Sequence, residues 1–341
     1  MQIQLIEPGK VNNVKRLQVA LIGLGMMGRN HYRILRDLPG VKISYIVDLN
    51  LSAIPDTDSL LARSRLEDVN PADVDYCVIS TPSALHEESI AWAIKNQIPF
   101  LVEKPLASSL VAAKRVLAAS QKARVRGAVG HIERFNSAFL HAKKIIEEGA
   151  IGNIVEILTR RTGPYPGRIK DVGVIIDLAT HDIDLVRWLS GSEYSSVYSQ
   201  TNPDQESPHE GLVHASGKLE NGVLVNHIVN WVSPNKDRQM QILGENGKII
   251  VDALTSDITL IKMPIYKIEA SLVASLRGSS EGNLEKIAIE KREPLLVEHE
   301  NFRDFINGLD ANPVLLKDGV EALRVAEAMI ESSRNSQVVH L

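Results

Sequence analysis

The residues best suited to proton transfer in this 341-residue chain are a lysine and an aspartate–histidine pair. Lys104 stands in Glu103-Lys104-Pro105, directly after the apolar run Phe100-Leu101-Val102. A strand over that run leaves the lysine at the carboxyl edge of a sheet, where ligands bind in doubly wound folds. From there an ammonium can donate to a substrate hydroxyl and, when partly desolvated, help relay its proton. Asp177 and His181 are four residues apart in Asp177-Leu178-Ala179-Thr180-His181-Asp182-Ile183-Asp184, a spacing that puts both on one face of a helix. A carboxylate beside an imidazole makes an acid/base unit, the acid orienting the ring or holding a substrate hydroxyl next to it. The same spacing can serve a metal, but no third ligand follows at a recognisable spacing. Taken singly, the lysine also reads as a solvated loop residue and the pair as an ordinary surface contact.

A second constellation lies near the start of the chain. Gly23-Leu24-Gly25-Met26-Met27-Gly28 has the spacing G-x-G-x-x-G, after a short apolar run and before a helical pattern. The first glycine permits a tight turn and the second lets the backbone approach a pyrophosphate. The third lets the helix pack closely, with its N-terminal amides facing the phosphates. Asp48 follows Gly28 by 20 residues at the end of the next apolar run, the place of a carboxylate that accepts hydrogen bonds from a ribose. That charge repels a 2′-phosphate, and Leu49-Asn50-Leu51-Ser52 offers no cation to offset it, so the expected cofactor is NAD in preference to NADP.

The elements that must position these residues follow from periodicity. Strands are expected at Val19 to Ile22, Val41 to Val47, Val74 to Ser80 and Pro99 to Val102, alternating with helices at His31 to Leu38, Leu85 to Asn96 and Ser109 to Ala123. Such alternation marks a parallel, doubly wound α/β sheet. After Gly130 come a helix (Phe139 to Glu148) and longer alternating segments at Val155 to Arg161, Gly211 to Leu219, Val223 to Val232 and Gln239 to Leu243. These read as an antiparallel sheet with turns at Glu220-Asn221-Gly222 and Glu245-Asn246-Gly247. A helix at Val174 to Ser190 interrupts it, helices at Leu296 to Leu309 and Gly319 to Ser333 close the chain, and Ile265 to Arg292 has too weak a period to assign. The expected organisation is a dinucleotide-binding α/β domain over residues 15–135 and an α+β domain over 136–341 with a large open sheet.

Composition narrows the function. Lys+Arg 38 against Asp+Glu 42, a net charge of −4 without runs of one sign, gives no electrostatic footprint for nucleic acid. Aromatic residues at 4% leave little for base or sugar stacking, so a polar ligand must be held by hydrogen bonds. The single cysteine, Cys77, lies in an apolar run and reads as a small buried hydrophobe in a reducing compartment. Without a signal-peptide core or an apolar stretch of about 20 residues, the reading is cytoplasmic with no membrane partner.

Taken together, Gly23/Gly25/Gly28, Glu103-Lys104-Pro105 and Asp177-x-x-x-His181 resemble the Gfo/Idh/MocA family of oxidoreductases. The match includes Thr81-Pro82 with Leu85-His86, the segment Gly130 to Asn136, Gly244 to Gly247 and Asp318-Gly319. The resemblance implies a Rossmann domain followed by an α/β domain whose open sheet packs in homodimers or homotetramers, with the active site between them. It makes Lys104 and His181 the hydroxyl-binding and proton-transfer pair, with Asp177 positioning sugar and imidazole, and no metal. Glu103 binds the nicotinamide ribose, Lys104-Pro105 is a cis peptide beside the cofactor, and Met26 and Met27 lie in the phosphate loop. Thr81, Pro82 and His86 line the cofactor channel, although His86 fits equally a structural role at a helix start. One departure is a helix after Asp48 shortened into Leu51 to Arg65.

The segments Gly130 to Asn136 and Arg160 to Gly173 are similar to the subgroup that oxidises the 3-hydroxyl of UDP-N-acetylglucosamine. Arg134, Asn136, Arg160 and Arg168 are then substrate-binding candidates beside Asp177 and His181, and Arg161 and Lys170 add charge suited to a diphosphate. The same cations can instead alternate along a strand and face solvent. A free sugar or inositol is the rival substrate, and a non-catalytic dinucleotide-binding regulator the rival class.

Overall fold

The fold is taken from a computed structural model that describes residues 16–165, 167, 172–203, 209–263 and 283–341. Its first sheet is built from runs buried on both faces, the signature of parallel strands covered by helices on each side. β1 (Leu17–Ile22), β4 (Tyr76–Ile79) and β5 (Phe100–Glu103) are of this kind. With β2 (Val41–Val47), the two-residue β3 (Ala62–Arg63) and β6 (Gly127–Gly130) they form a six-stranded parallel sheet in the order β3-β2-β1-β4-β5-β6. The chain leaves β1 toward β2 and returns to β4 on the other side, so a crevice opens beyond the carboxyl ends of β1 and β4. Cys77, in β4 between Ala20 and Phe100, is fully buried, and burial pushes its thiol far up.

Helices α1 (Met26–Asp37), α2 (His86–Lys95) and α3 (Leu110–Ala123) cover this sheet. Ser109 caps α3 by accepting the Ala112 N–H at 3.3 Å. The expected shortened helix after Asp48 is absent: Leu51–Ala53 and Asp56–Leu61 form 3₁₀ turns. Pro55 between them, with no N–H to donate, favours such short pieces over one helix.

The second sheet has nine strands in the order β14-β13-β12-β11-β7-β10-β9-β8-β15. These are β7 (Ile154–Pro164), β8 (Tyr194–Pro203), β9 (Glu210–Leu219), β10 (Leu224–Asn230), β11 (Val232–Gly244), β12 (Gly247–Asp252), β13 (Asp257–Lys262), β14 (Asn283–Ile287) and β15 (Val339–His340). It is mixed, because β10 runs parallel to β7 while the other neighbours are antiparallel. Both expected turns lie between antiparallel neighbours, β9 to β10 and β11 to β12. Strands β8, β12 and β13 were not among the expected elements, and β14 falls in the stretch that periodicity left unassigned.

One face of this sheet carries Ile157, Val213, Val225, Met240 and Val251 into a core with α4 (Ser137–Glu147) and α5 (Thr180–Ser190). Helix α6 (Pro294–Ile306) sends Phe302 into the core of the first sheet. Helix α7 (Leu316–Asn335) joins both cores, with Leu316, Val320 and Leu323 on one and Val325, Ala326 and Met329 on the other. Among the described residues, no helix is long and apolar enough to cross a membrane.

Helix α5 is held in place by charge. Arg161 on β7 binds Asp182 at 2.8 Å and Glu133 at 2.7 Å. Arg134 grips Asp184 through Nε and Nη2, at 2.7 and 2.5 Å, and lies 3.3 Å from Asp318 at the start of α7. Arg187 adds Glu193 at 2.6 Å and Asp318 at 3.5 Å. Arg161, Arg187, Asp182 and Asp184 are almost wholly buried, whereas Glu133, Glu193 and Asp318 are partly exposed, and a buried charge that loses its partner costs about 3–5 kcal/mol. Arg134→Met should therefore destabilise the protein by about 3 kcal/mol or more in chemical denaturation. A loss under about 1 kcal/mol would show that solvent already screens Asp184.

Candidate active site

The glycine loop closes the crevice. Gly23 turns with φ +92°, a conformation costly for any other residue. Its N–H donates to Val47 O at 2.7 Å, and the Leu24 N–H donates to Asp48 Oδ2 at 2.6 Å. Asp48 Oδ1 also accepts the Asn50 N–H at 2.8 Å. Asp48 thus pins the loop to the end of β2 while each oxygen keeps a further lone pair for a ribose hydroxyl. A Cβ on Gly28 would stand 2.1 Å from Gly23 O, whereas one on Gly25 would meet nothing within 4 Å. That open space lies over the start of α1, whose first turn holds no acid and whose amides have no side-chain cap. The residues fit a dinucleotide there, with the pyrophosphate on free amides.

From this loop a cleft of about 730 Å³ runs toward the second sheet. Met26, Met27, Thr81 and Pro82 line it beside the glycine loop, where Thr81 Oγ1 is buried without a hydrogen-bond partner. Glu103, Lys104, Asp177 and His181 line the other end. Glu103 is almost fully buried; burial pushes its acid up, but the His31 hydrogen bond and the Lys104 ammonium outweigh this and hold it lowered. The Lys104-Pro105 peptide is cis.

Lys104, at the end of β5, reaches across the cleft. Its Nζ donates to Asp177 O at 2.7 Å and to Asp177 Oδ1 at 2.8 Å. Asp177 sits in a π-helical turn, Ile175–Ala179, that leads into α5. The expected continuous α-helix is therefore wider here, and such turns recur at functional sites. Glu210 holds the start of this turn by accepting the Ile175 N–H at 3.1 Å. His181, on the first turn of α5, is half-buried and keeps Nδ1 without a partner. Burial, the nearby cations Lys104, Arg161 and Arg238, and the His131 ring hold its pKa well below the ordinary imidazole value. The His131 and His181 rings meet edge-on at 6.3 Å between centroids. The arrangement presents a cationic donor and a neutral imidazole base to one cleft, which suits removal of a hydroxyl proton.

Other expected site residues lie elsewhere. His86 is 1% exposed and its ring nitrogens meet Pro105 O and Thr81 O, each at 2.9 Å, so it braces the cis-peptide loop from behind. Arg134 is held in the carboxylate network around α5. Asn136 is buried, caps α4 through the Ala138 N–H at 3.0 Å and donates to Ala253 O at 3.0 Å. Arg160 alternates to the outer face of the sheet, where it pairs with Asp237 at 2.7 Å. Arg168 and Lys170 lie outside the described residues.

Two groups escaped the sequence reading. Arg238 stands opposite Arg161 in the β7–β11 register, and its Nη1 donates to Thr162 O and Asp237 O at 2.6 and 2.9 Å. Burial and Arg161 lower its pKa. Among the described residues no carboxylate lies within ion-pair range of it. His31 and His299 meet behind Glu103, at 2.8 Å between Nδ1 and Nε2. Neither group has a short-range motif, since each depends on contacts between distant segments.

Comparison with known families gives this geometry a lineage. Residues 17–131 match the model for the oxidoreductase family's NAD-binding Rossmann fold, and residues 143–341 match the same family's C-terminal alpha/beta domain. The chain belongs to the Gfo/Idh/MocA oxidoreductase family. A UDP-N-acetylglucosamine 3-dehydrogenase of Acidithiobacillus ferrooxidans is 26% identical over 92% of this chain and 96% of its own. Its solved structure superposes with a TM-score of 0.81, covering 94% of this chain and 98% of that one at 22% identity. An inositol 2-dehydrogenase of Corynebacterium glutamicum is 30% identical over 63% of this chain and 67% of its own. As a Gfo/Idh/MocA oxidoreductase the protein uses NAD in its Rossmann domain, where the Gly25 space, the Asp48 carboxylate and the orphan Thr81 hydroxyl fit that cofactor.

The depressed His181 pKa sets a pH expectation. An imidazole that stays neutral below its ordinary value of about 6.5 keeps a base available in mild acid. The acid limb of kcat/KM for hydroxyl oxidation should therefore fall below pH about 6.5, with a plateau above it. A limb centred at pH 7 or higher would mean that another group serves as the base.

Proposed function

We propose that the protein is an NAD-dependent dehydrogenase that oxidises a secondary hydroxyl of a nucleotide sugar, with the 3-hydroxyl of UDP-N-acetylglucosamine as the leading substrate. The carrying observation is the Lys104–Asp177–His181 grouping at the inner end of the cleft. Lys104 donates a hydrogen bond to the hydroxyl oxygen and His181 accepts the hydroxyl proton. Asp177 holds Lys104 in place and offers a carboxylate oxygen to a neighbouring sugar hydroxyl. NAD, when bound, supplies the hydride acceptor, with Glu103 against its nicotinamide ribose. Asp48 favours NAD over NADP by repelling a 2′-phosphate. A non-catalytic sensor has no use for this trio.

The nucleotide-sugar reading is supported by the near full-length likeness to a UDP-N-acetylglucosamine 3-dehydrogenase. It is also supported by Arg238, a cation with no carboxylate partner among the described residues and within electrostatic reach of Asp177 and His181. A planar guanidinium suits a diphosphate. The rival reading, a free polyol, draws on the inositol 2-dehydrogenase likeness and on Arg134 and Arg160 being turned away from the cleft. The outer face of the nine-stranded sheet, with Leu224 at 52% and Ile228 at 40% exposure, supports assembly of two or four copies through that face.

Two experiments test this. Lys104→Met and His181→Ala should each lower NAD-linked turnover by about 100-fold or more while NAD still binds; full activity in both variants would refute the assignment. With NAD and UDP-N-acetylglucosamine, the product should be two daltons lighter by mass spectrometry. Arg238→Gln should then cut kcat/KM for the nucleotide sugar by about tenfold or more. Turnover of free inositol or glucose, with none of the nucleotide sugar and no effect of Arg238→Gln, would select the polyol reading.

A further inference from the structure

The buried cluster behind Glu103 is unused by the chemistry above. His31, on the face of α1 away from solvent, places Nε2 2.9 Å from Glu103 Oε1 and Nδ1 2.8 Å from His299 Nε2 on α6. Both imidazoles are fully buried, and their rings meet edge-on at 5.0 Å between centroids. Glu103 Oε2 also accepts its neighbour's main-chain N–H, from Lys104, at 3.2 Å.

Proton positions follow from the partners. An ionised carboxylate can only accept, so His31 carries a proton on Nε2 toward Glu103. His299 is held well below the ordinary imidazole value by burial and by His31, so it is neutral and has one ring proton. With that proton on Nε2 it donates to His31 Nδ1 and leaves a lone pair on its partnerless Nδ1. The opposite tautomer would bury an N–H without an acceptor, the costlier choice. Every donor in the chain then points one way, from His299 to His31 to Glu103. Glu298, beside His299 and also buried, is pushed well above the ordinary carboxyl value by burial and by Glu103.

We infer that His31 is a positioning residue for the cofactor: its Nε2–H, on a ring oriented by His299, fixes the Glu103 carboxylate for the nicotinamide ribose. The inference rests on the reading of Glu103 as a cofactor ligand. It also accounts for two fully buried histidines on elements 268 residues apart. The start of α6, Pro294 and Leu295, lines the same cleft, so this helix touches the cofactor site both from its rim and from behind.

Two substitutions at one position separate positioning from packing. In His31→Gln the amide nitrogen reaches the place of Nε2 and can still donate to Glu103. In His31→Asn the shorter amide reaches the place of Nδ1, keeps His299 satisfied and leaves Glu103 without its donor. Calorimetric titration of each folded full-length variant with NAD, beside thermal melts, should show His31→Gln close to wild type and His31→Asn weaker by about tenfold or more. Glu103→Gln should weaken binding by a similar factor. Equal NAD affinities for the Asn and Gln variants, with Glu103→Gln impaired, would overturn the positioning chain alone. Wild-type affinity in Glu103→Gln would instead remove the reading of Glu103 on which it stands.

Discussion

The contact from Lys104 Nζ to the main-chain and side-chain oxygens of Asp177 is the constraint on which the site depends. The lysine directly follows a strand of one sheet and the aspartate lies in a helical turn packed on the other. The side chains of both are largely shielded, at 16% and 14% exposure, so the interaction is far less screened than a surface pair. Breaking it would leave two largely shielded charges without their partners. It also fixes where His181 can stand, because the imidazole follows Asp177 by one turn. The π turn at Ile175–Ala179 brings the Asp177 main-chain oxygen, as well as its carboxylate, within reach of the lysine.

A second principle is economy of charge. Arg134, Arg161 and Arg187 all lie near α5, yet each is matched with carboxylates that lock α5 to β7, to the Ile132–Phe135 turn and to the start of α7. Their role is to hold the helix that carries His181 and the segment around it. Arg238 is the contrasting case. It shares the inner face with Arg161 but among the described residues has only carbonyl partners, and its charge reaches the imidazole. Close like charges therefore favour the neutral form of His181.

Much of the fold was legible because its signals are local. Continuous apolar runs bounded by turn residues marked β1, β2, β4 and β5, and the glycine spacing with Asp48 marked the loop between β1 and α1. The second sheet was harder. Strand β8, for example, mixes Ser, Tyr, Gln, Thr and Asn, and it is a strand because its neighbours pair with it and Ser199 bonds into α7. The resemblance implied a shortened helix over Leu51–Arg65, but Pro55 separates the 3₁₀ turns Leu51–Ala53 and Asp56–Leu61. In the site, Lys104, Asp177 and His181 were legible from motif spacing. Whether Arg134 or Arg160 faces a ligand depends on strand parity and on partners such as Asp184 and Asp237, which lie far away in the chain. The His31–His299 contact, across almost the whole sequence, has no local signal at all.

The most direct test of the account is the crystal structure of the NAD complex. The account places the pyrophosphate on the α1 amides above Gly25, a nicotinamide ribose hydroxyl within about 3 Å of the Glu103 carboxylate, and the nicotinamide ring facing the space between Lys104 and His181. A cofactor bound with its nicotinamide turned away from those two residues, or seated off the Gly23–Gly28 loop, would contradict it.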